Sequence, residues 1–143
     1  MYKLLYIEGK NTMKKFILFV LALTMAACTN IPSNIDGDQV FFAFDSAKIS
    51  DDAREDLESQ ALYLKTNPDV NVTIQGRCDE RGSTEYNLAL GALRAGNAAH
   101  VLIRNDIEPK RIKTISYGKE NPIYKGTGEK VWAKNRNATT VVK

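Results

Sequence analysis

A short charged loop and the helical segment behind it carry the side chains best suited to ligand chemistry in this sequence. The loop runs from Arg77 to Ser83, and its Asp79 lies fifteen residues before Arg94 in the helical segment. A carboxylate accepts hydrogen bonds from an ammonium group, and a planar guanidinium grips a carboxylate with two parallel bonds. For an arbitrary Asp and Arg at this spacing, the favoured interpretation is that they pair with each other or face solvent. A ligand of mixed charge is the other interpretation that these residue types leave open.

The same residues give little support for catalysis. The sole histidine, His100, falls in the middle of a helical segment, with no Ser or Cys nucleophile near it in sequence order. Asp79 and Glu80 are adjacent, and adjacent acids rarely converge on one glycosidic bond. No Cys/His spacing suits a metal ion. The sequence therefore predicts a protein that is not an enzyme and that uses neither a metal nor another cofactor.

Strand and helix patterns alternate around the charged loop. Four runs that are apolar or that alternate apolar with polar residues predict strands, at residues 40–44, 70–74, 112–117 and 138–142. Helical spacing predicts helices over residues 51–66, 84–104 and, as a short turn, 129–134. This order predicts an α+β fold, a two-layer sandwich in which one mixed sheet carries helices on one face.

Capping and spacing refine the two long helices. Ser50 is a suitable N-cap for the first, Asn67-Pro68 should end it, and its apolar face is formed by Ala53, Leu57, Ala61 and Leu64. In the second, the expected buried stripe consists of Leu90, Leu93, Asn97 and Val101. Gly91 and Gly96 should each weaken the second helix by about 1 kcal/mol relative to Ala. Tertiary packing must therefore stabilise it.

Three ordered motifs resemble a known family. The run C-D-E-R-G-S-T-E-Y-N-L-A-L-G begins at Cys78, S-Y-G-K-E-N-P begins at Ser116, and A-K-N-R begins at Ala133. Together they resemble the OmpA-like peptidoglycan-binding domain, and within that family the lipoproteins of the Tol-Pal system. The resemblance covers residues 40–143 and implies the OmpA-like form of the two-layer sandwich.

The resemblance implies a ligand and its contacts. In the family, the loop acid and a helix arginine hold the diaminopimelate of the peptidoglycan stem, and the matching positions are Asp79 and Arg94. A lysine-type stem lacks the carboxylate that the arginine would bind. The positions that look like secondary contacts are Phe44, Asp45, Arg81 and Leu90. Tyr86 and Asn87 are expected to pack the helix and brace the loop instead.

The first part of the chain is typical of an export signal. A lysine pair precedes a run of twelve residues, nearly all apolar, that ends at Ala27. A helix that spans a bilayer needs about 20 apolar residues, so cleavage is favoured over spanning. Residues 1–27 are therefore predicted to be a signal peptide. Because the signal is complete from Met13, residues 1–12 are predicted to precede the true start.

The sequence Met25-Ala26-Ala27-Cys28 resembles the lipobox of bacterial lipoproteins. It implies that Cys28 carries lipid and that the domain faces the periplasm. The composition after the cysteine predicts a lipidated N-terminus and linker over residues 28–39. Thr29 is not the aspartate associated with inner-membrane retention, which favours the outer membrane. The alternative is an ordinary cleaved signal in which Cys28 is incidental. Lipidation would leave Cys78 without a disulfide partner, and Cys78 is expected to be a small buried residue rather than a reactive thiol.

Charge is distributed unevenly after the signal. From Cys28 onward there are sixteen basic and sixteen acidic residues, but residues 104–143 contain ten basic and four acidic ones. This is not the dense one-signed surface of a nucleic-acid-binding protein. The resemblance implies a TolB-like periplasmic protein as a partner beside peptidoglycan, and the basic final third could help it dock. A protein-interaction module with little or no peptidoglycan binding is the alternative function.

Overall fold

The computed structural model describes residues 31–143. The proposed start at Met13, the signal peptide over 1–27 and the lipidation site Cys28 lie outside the described residues. The strands are β1 (Gln39–Phe41), β2 (Val72–Arg77), β3 (Ile112–Gly118) and β4 (Asn137–Val142), and the helices are α1 (Asp51–Thr66), α2 (Thr84–Arg104) and α3 (Glu129–Asn135), with a 3₁₀ turn at Pro109–Arg111. The predicted order of elements and the α+β class are confirmed.

The four strands form one mixed sheet in the order β1-β4-β2-β3. Strands β2 and β3 are parallel, whereas β4 runs antiparallel to both β1 and β2. Strands β1, β2 and β3 therefore point the same way, and their carboxyl ends meet at one edge of the sheet. The start of β4 lies at that same edge. This topology brings four chain segments that are distant in sequence to one place.

Local signals place the ends of α1 as predicted. The Ser50 hydroxyl accepts a hydrogen bond from the backbone N–H of Ala53 at 3.1 Å, and the helix ends at Thr66, just before Asn67-Pro68. The expected apolar face is buried and packs in the core, as shown by Ala53, Leu57, Ala61 and Leu64. Helix α1 contacts α2 and β1.

The predicted buried stripe of α2 is partly wrong. Leu93 is 59% exposed, and Leu90 is only half-buried. The buried face consists of Asn87, Gly91, Arg94, Ala95, Ala98, Ala99, Val101 and Leu102. Small residues dominate because α2 lies close against β2 and β3, and a leucine row would hold the helix farther from the sheet.

Two other boundaries differ from the predictions. The first strand ends at Phe41, so Phe44 and Asp45 lie in the turn after it, where Asp45 has φ of 52°. The linker expected over 28–39 ends in folded structure, because Ile35 is buried in the core and the N–H of Gly37 donates to the carbonyl of Thr140 at 2.8 Å. Within residues 31–143, no helix combines the length and the apolar character needed to cross a membrane.

The closest approach of α2 to the sheet predicts opposite effects for two glycine substitutions. A Cβ at Gly76 would collide with the backbone carbonyl of Gly91, whereas a Cβ at Gly96 would meet nothing within 4 Å. We expect Gly76→Ala to lower the free energy of unfolding by about 3 kcal/mol, because backbone cannot move aside cheaply. Gly96→Ala, the matched control, should raise it by about 1 kcal/mol. Urea unfolding followed by circular dichroism measures both, and equal effects would contradict the packing described.

Candidate functional site

The six side chains singled out in the sequence converge on one cavity. Its volume is about 380 Å³, and it lies at the sheet edge where β1 and β2 end. It is lined by Phe44, Asp45, Cys78, Asp79, Arg81, Gly82, Tyr86, Asn87, Leu90 and Arg94. The turn after β1, the loop after β2 and the first half of α2 form its walls.

The loop from Cys78 to Ser83 is held at both ends. The N–H of Cys78 donates to the carbonyl of Gly118 at 2.8 Å, which extends the pairing of β2 with β3 by one bond. Ser83 caps α2 through the N–H of Tyr86. Asn87 is buried, and its amide donates to the carbonyls of Arg81 and Ser83 at 2.8 and 2.9 Å. The expected bracing role of Asn87 is thus observed, and the loop has a defined conformation.

Asp79 is a buried carboxylate, 4% exposed, with every acceptor position engaged. Its Oδ1 accepts from the backbone N–H and the Nε of Arg81, both at 3.1 Å. Its Oδ2 accepts from Nη2 of Arg81 at 2.7 Å and from Nη1 of Arg136 at 3.3 Å. A carboxylate offers about four such positions, so the protein's own donors fill them.

Arg94 is fully buried, with an exposed fraction of 0%. Three of its N–H groups donate to backbone carbonyls, Nε to Ser46 at 2.9 Å, Nη1 to Arg77 at 2.9 Å and Nη2 to Ala43 at 3.1 Å. A guanidinium has five N–H groups, so about two are not used by these backbone carbonyls. Burial lowers the pKa of Arg94, yet an arginine remains charged in proteins.

Asp79 and Arg94 line the same cavity without bonding to each other. In the described part of the chain, Asp79 pairs with Arg81 and Arg136, whereas Arg94 bonds to backbone carbonyls. Asp79 and Arg94 therefore do not form an ion pair with each other. A negative and a positive group face one space, and this suits a ligand with an ammonium and a carboxylate close together.

The mouth of the cavity is formed by the residues expected as secondary contacts. Phe44 is 59% exposed, and its ring stacks on the guanidinium of Arg81 at 3.9 Å. Asp45 accepts a hydrogen bond from the hydroxyl of Tyr86. Tyr86 thus ties the turn after β1 to α2, and Leu90 supplies an apolar wall.

Three residues that sequence reasoning did not assign to the site support it from α3 and the start of β4. Arg136 is buried and donates to the Phe42 carbonyl at 3.0 Å as well as to Asp79. Glu129 accepts from Arg136 at 2.7 Å. Trp132 stacks on Arg81 at 4.3 Å. Arg136 belongs to the A-K-N-R motif, and this motif was the only feature of the sequence that could have indicated its place in the site.

Cys78 is a free and buried thiol, as expected. Its Sγ donates to the carbonyl of Asn87 at 3.3 Å. Burial raises the pKa of the Cys78 thiol. A protonated thiol is a poor nucleophile, so its position at the cavity wall does not suit covalent chemistry. Within residues 31–143, no group of three potential metal ligands converges.

The bonds around Asp79 predict how stability depends on pH. Burial alone would raise the pKa of this carboxyl, but hydrogen bonds from Arg81 and Arg136 outweigh it and hold the pKa below its usual range. The stabilisation is therefore present above about pH 3.9, the pKa of an unstructured aspartate, and is lost as the pH falls further. We expect the stability difference between wild type and Asp79→Asn to be constant from pH 7 to 5 and to shrink below pH 4. Urea unfolding across this range measures it, and a difference that grew on acidification would contradict the assignment.

Comparison with known proteins identifies a family model and relatives that this chain matches. The OmpA family model matches residues 41–136. The peptidoglycan-associated lipoprotein of Agrobacterium fabrum is 44% identical over 106 residues, which cover 74% of this chain and 60% of that protein. That of Mesorhizobium japonicum is 40% identical over 121 residues, which cover 85% of this chain and 71% of that protein. This chain thus spans only 60% of the length of the first of these relatives.

Solved structures agree with this placement. The crystal structure of the peptidoglycan-associated lipoprotein from Burkholderia pseudomallei matches with a TM-score of 0.71 at 40% identity, over 73% of this chain and 89% of that one. The C-terminal domain of Helicobacter pylori MotB matches with a TM-score of 0.69 at 24% identity, over 74% of this chain and 84% of that one. The second match concerns the fold alone.

Proposed function

Since this chain belongs to the OmpA family, we propose that it binds peptidoglycan non-covalently through the diaminopimelate of the peptide stem. The observation that carries the proposal is the cavity in which Asp79 and Arg94 face one space without pairing with each other. The relatives at 44% and 40% identity are named peptidoglycan-associated lipoproteins, which supports peptidoglycan as the ligand.

The free end of a diaminopimelate residue carries an ammonium and a carboxylate on one carbon. The ammonium would donate to Asp79, and the carboxylate would accept from the N–H groups of Arg94 that backbone carbonyls leave available. Three backbone carbonyls fix the Arg94 side chain. Little rotamer entropy is therefore lost when the ligand arrives. Phe44, Asp45, Arg81 and Leu90 would contact the rest of the stem at the cavity mouth.

The same geometry would select against lysine-type stems. A lysine side chain brings an ammonium but no carboxylate, so the buried charge of Arg94 would gain no counter-ion from it. Specificity of this kind depends on groups that stay unpaired in the wrong complex.

We further propose a cellular setting for this binding. Lipid on Cys28 would anchor the protein in the outer membrane, with residues 31–143 in the periplasm. Binding to the wall would then link membrane to peptidoglycan within the Tol-Pal system, where a TolB-like protein is the expected partner, and would contribute to envelope integrity and cell division. The protein would act as a binder rather than an enzyme.

Retention on purified sacculi tests the proposal. The full chain should co-sediment with sacculi of the diaminopimelate type and remain in the supernatant with sacculi of the lysine type, and no muropeptides should be released. Equal retention on both wall types would remove the diaminopimelate mechanism. Binding to a TolB-like protein without retention on either would favour the protein-interaction module, and released muropeptides would indicate an enzyme.

A further inference from the structure

Arg81 occupies the carboxylate that the proposed ligand needs. Its Nε and Nη2 form a two-pronged fork on Asp79, with distances of 3.1 and 2.7 Å. Together with the Arg81 backbone N–H and Arg136, this fork fills all four acceptor positions of the carboxylate. An ammonium that binds Asp79 must therefore displace a donor that is already there.

The contacts around each donor to the Asp79 carboxylate determine which of them a ligand can displace. Arg136 is buried and held by the Phe42 carbonyl and by Glu129, so its movement would break two further bonds. The Arg81 backbone N–H belongs to a loop that Asn87 braces through the Arg81 carbonyl. The side chain of Arg81 is 33% exposed and lines the cavity, so it is the donor that can turn away.

An Arg81 side chain displaced from Asp79 would keep other contacts. Its guanidinium lies between the rings of Phe44 and Trp132, 3.9 and 4.3 Å from their centroids, and it can rotate in its own plane without losing this stacking. The Glu129 carboxylate lies 3.8 Å from Nη2. The released guanidinium would also face the cavity, where its N–H groups could donate to the carboxylate of a ligand.

We propose that Arg81 is an exchangeable internal counter-ion of Asp79 and thereby a specificity-determining residue of the cavity. This inference rests on the proposed function. A ligand with an ammonium and a carboxylate replaces both halves of the Asp79–Arg81 pair. Its ammonium takes the place of Arg81 on Asp79, and one oxygen of its carboxylate accepts from the released Arg81 guanidinium while the other accepts from Arg94. A ligand with an ammonium alone takes Asp79 but leaves Arg81 without an equivalent partner. Arg81 therefore lowers the affinity for ligands that carry an ammonium without a carboxylate.

The single tryptophan of the chain reports the exchange. Trp132 stacks on Arg81, and its indole N–H donates to Glu80 at 2.8 Å, so movement of the guanidinium changes the environment of the fluorophore. The probes are two stem tetrapeptides, L-Ala-γ-D-Glu-meso-diaminopimelate-D-Ala and its counterpart with L-Lys in the third position. Binding is measured by calorimetry and Trp132 emission is followed in parallel, on the full chain.

In wild type, the diaminopimelate peptide should bind and change Trp132 emission. In Arg81→Gln, the lysine peptide should bind more tightly, so that the preference for diaminopimelate falls about tenfold, the size expected of one charge-assisted bond. Arg81→Lys, which keeps the charge but lacks the fork, should lie between. Arg54→Gln, on the exposed side of α1, is the matched control and should change neither affinity nor emission.

The outcomes separate the two proposals. Tight binding of the diaminopimelate peptide to wild type without a change in Trp132 emission would overturn the exchange and leave the proposed function standing. An unchanged preference in Arg81→Gln, with the thermal midpoint within the range of Arg54→Gln, would overturn it as well. Failure of wild type to bind the diaminopimelate peptide would reject the proposed function, and the exchange with it.

Discussion

Replacing Asp79 by Asn is expected to reduce the affinity for diaminopimelate-type sacculi by about 100-fold. The substitution keeps the size of the side chain but removes the charge that would hold the ligand ammonium. Loss of one partner of a buried, hydrogen-bonded charge pair typically costs 2–5 kcal/mol, and about 2.7 kcal/mol corresponds to 100-fold. Co-sedimentation with increasing amounts of sacculi gives the apparent dissociation constant.

The neighbouring acid supplies the control for that measurement. Glu80→Gln makes the same change of charge one residue away, keeps an acceptor for the Trp132 indole, and lies outside the lining of the cavity. It should retain affinity within about twofold, as expected for an exposed charge. If both variants lost affinity equally, net charge rather than the Asp79 carboxylate would govern binding. If Asp79→Asn bound as wild type does, Asp79 would not be a ligand contact.

Replacing Arg94 by Met is expected to lower the free energy of unfolding by about 4 kcal/mol. Methionine retains much of the stem but removes the guanidinium, so the carbonyls of Ala43, Ser46 and Arg77 lose their partner inside the protein. A buried carbonyl left without a partner costs about 1–3 kcal/mol. The Arg77 bond is buried, whereas Ala43 is exposed and Ser46 is half-buried, so solvent should reach these two carbonyls and limit the sum to the value above. Urea unfolding measures the change.

Arg104→Met is the matched control, because Arg104 is exposed at the carboxyl end of the same helix. It should change the unfolding free energy by less than about 0.5 kcal/mol. A loss below about 1 kcal/mol for Arg94→Met would show that the carbonyls are satisfied without the guanidinium. The expected result also affects how binding data are interpreted. Loss of retention in an Arg94 variant reflects the ligand contact and the support of the cavity walls together, so Asp79 is the cleaner test of recognition.

Arg94 therefore has a structural role in addition to the ligand contact that we propose for it. The family motif predicted only the ligand contact, because the three bonds to the turn after β1 and to the end of β2 depend on how those segments come together. Similarly, Trp132 and Arg136 reach the site from more than fifty residues beyond Asp79. No local pattern in the sequence connects these positions.

The sequence by itself determined the local elements, and its resemblance to a known family indicated six of the residues that line the cavity. Caps and breakers act within a few residues, so Ser50 and Asn67-Pro68 were sufficient to place the ends of α1. The charged motif likewise identified the loop and helix that form the cavity wall.

Only the tertiary structure decided what those residues contact. Pairings between distant segments produce the sheet order and the glycine contact between β2 and α2. The folded structure also decides that Arg81 and Arg136 occupy the acceptor positions of the Asp79 carboxylate. Leucine spacing predicted only part of the buried face of α2, because the close approach of helix and sheet favours small side chains over large apolar ones. Residue types therefore identified the charges of the site, and the packing of helix against sheet determined which of them are already paired.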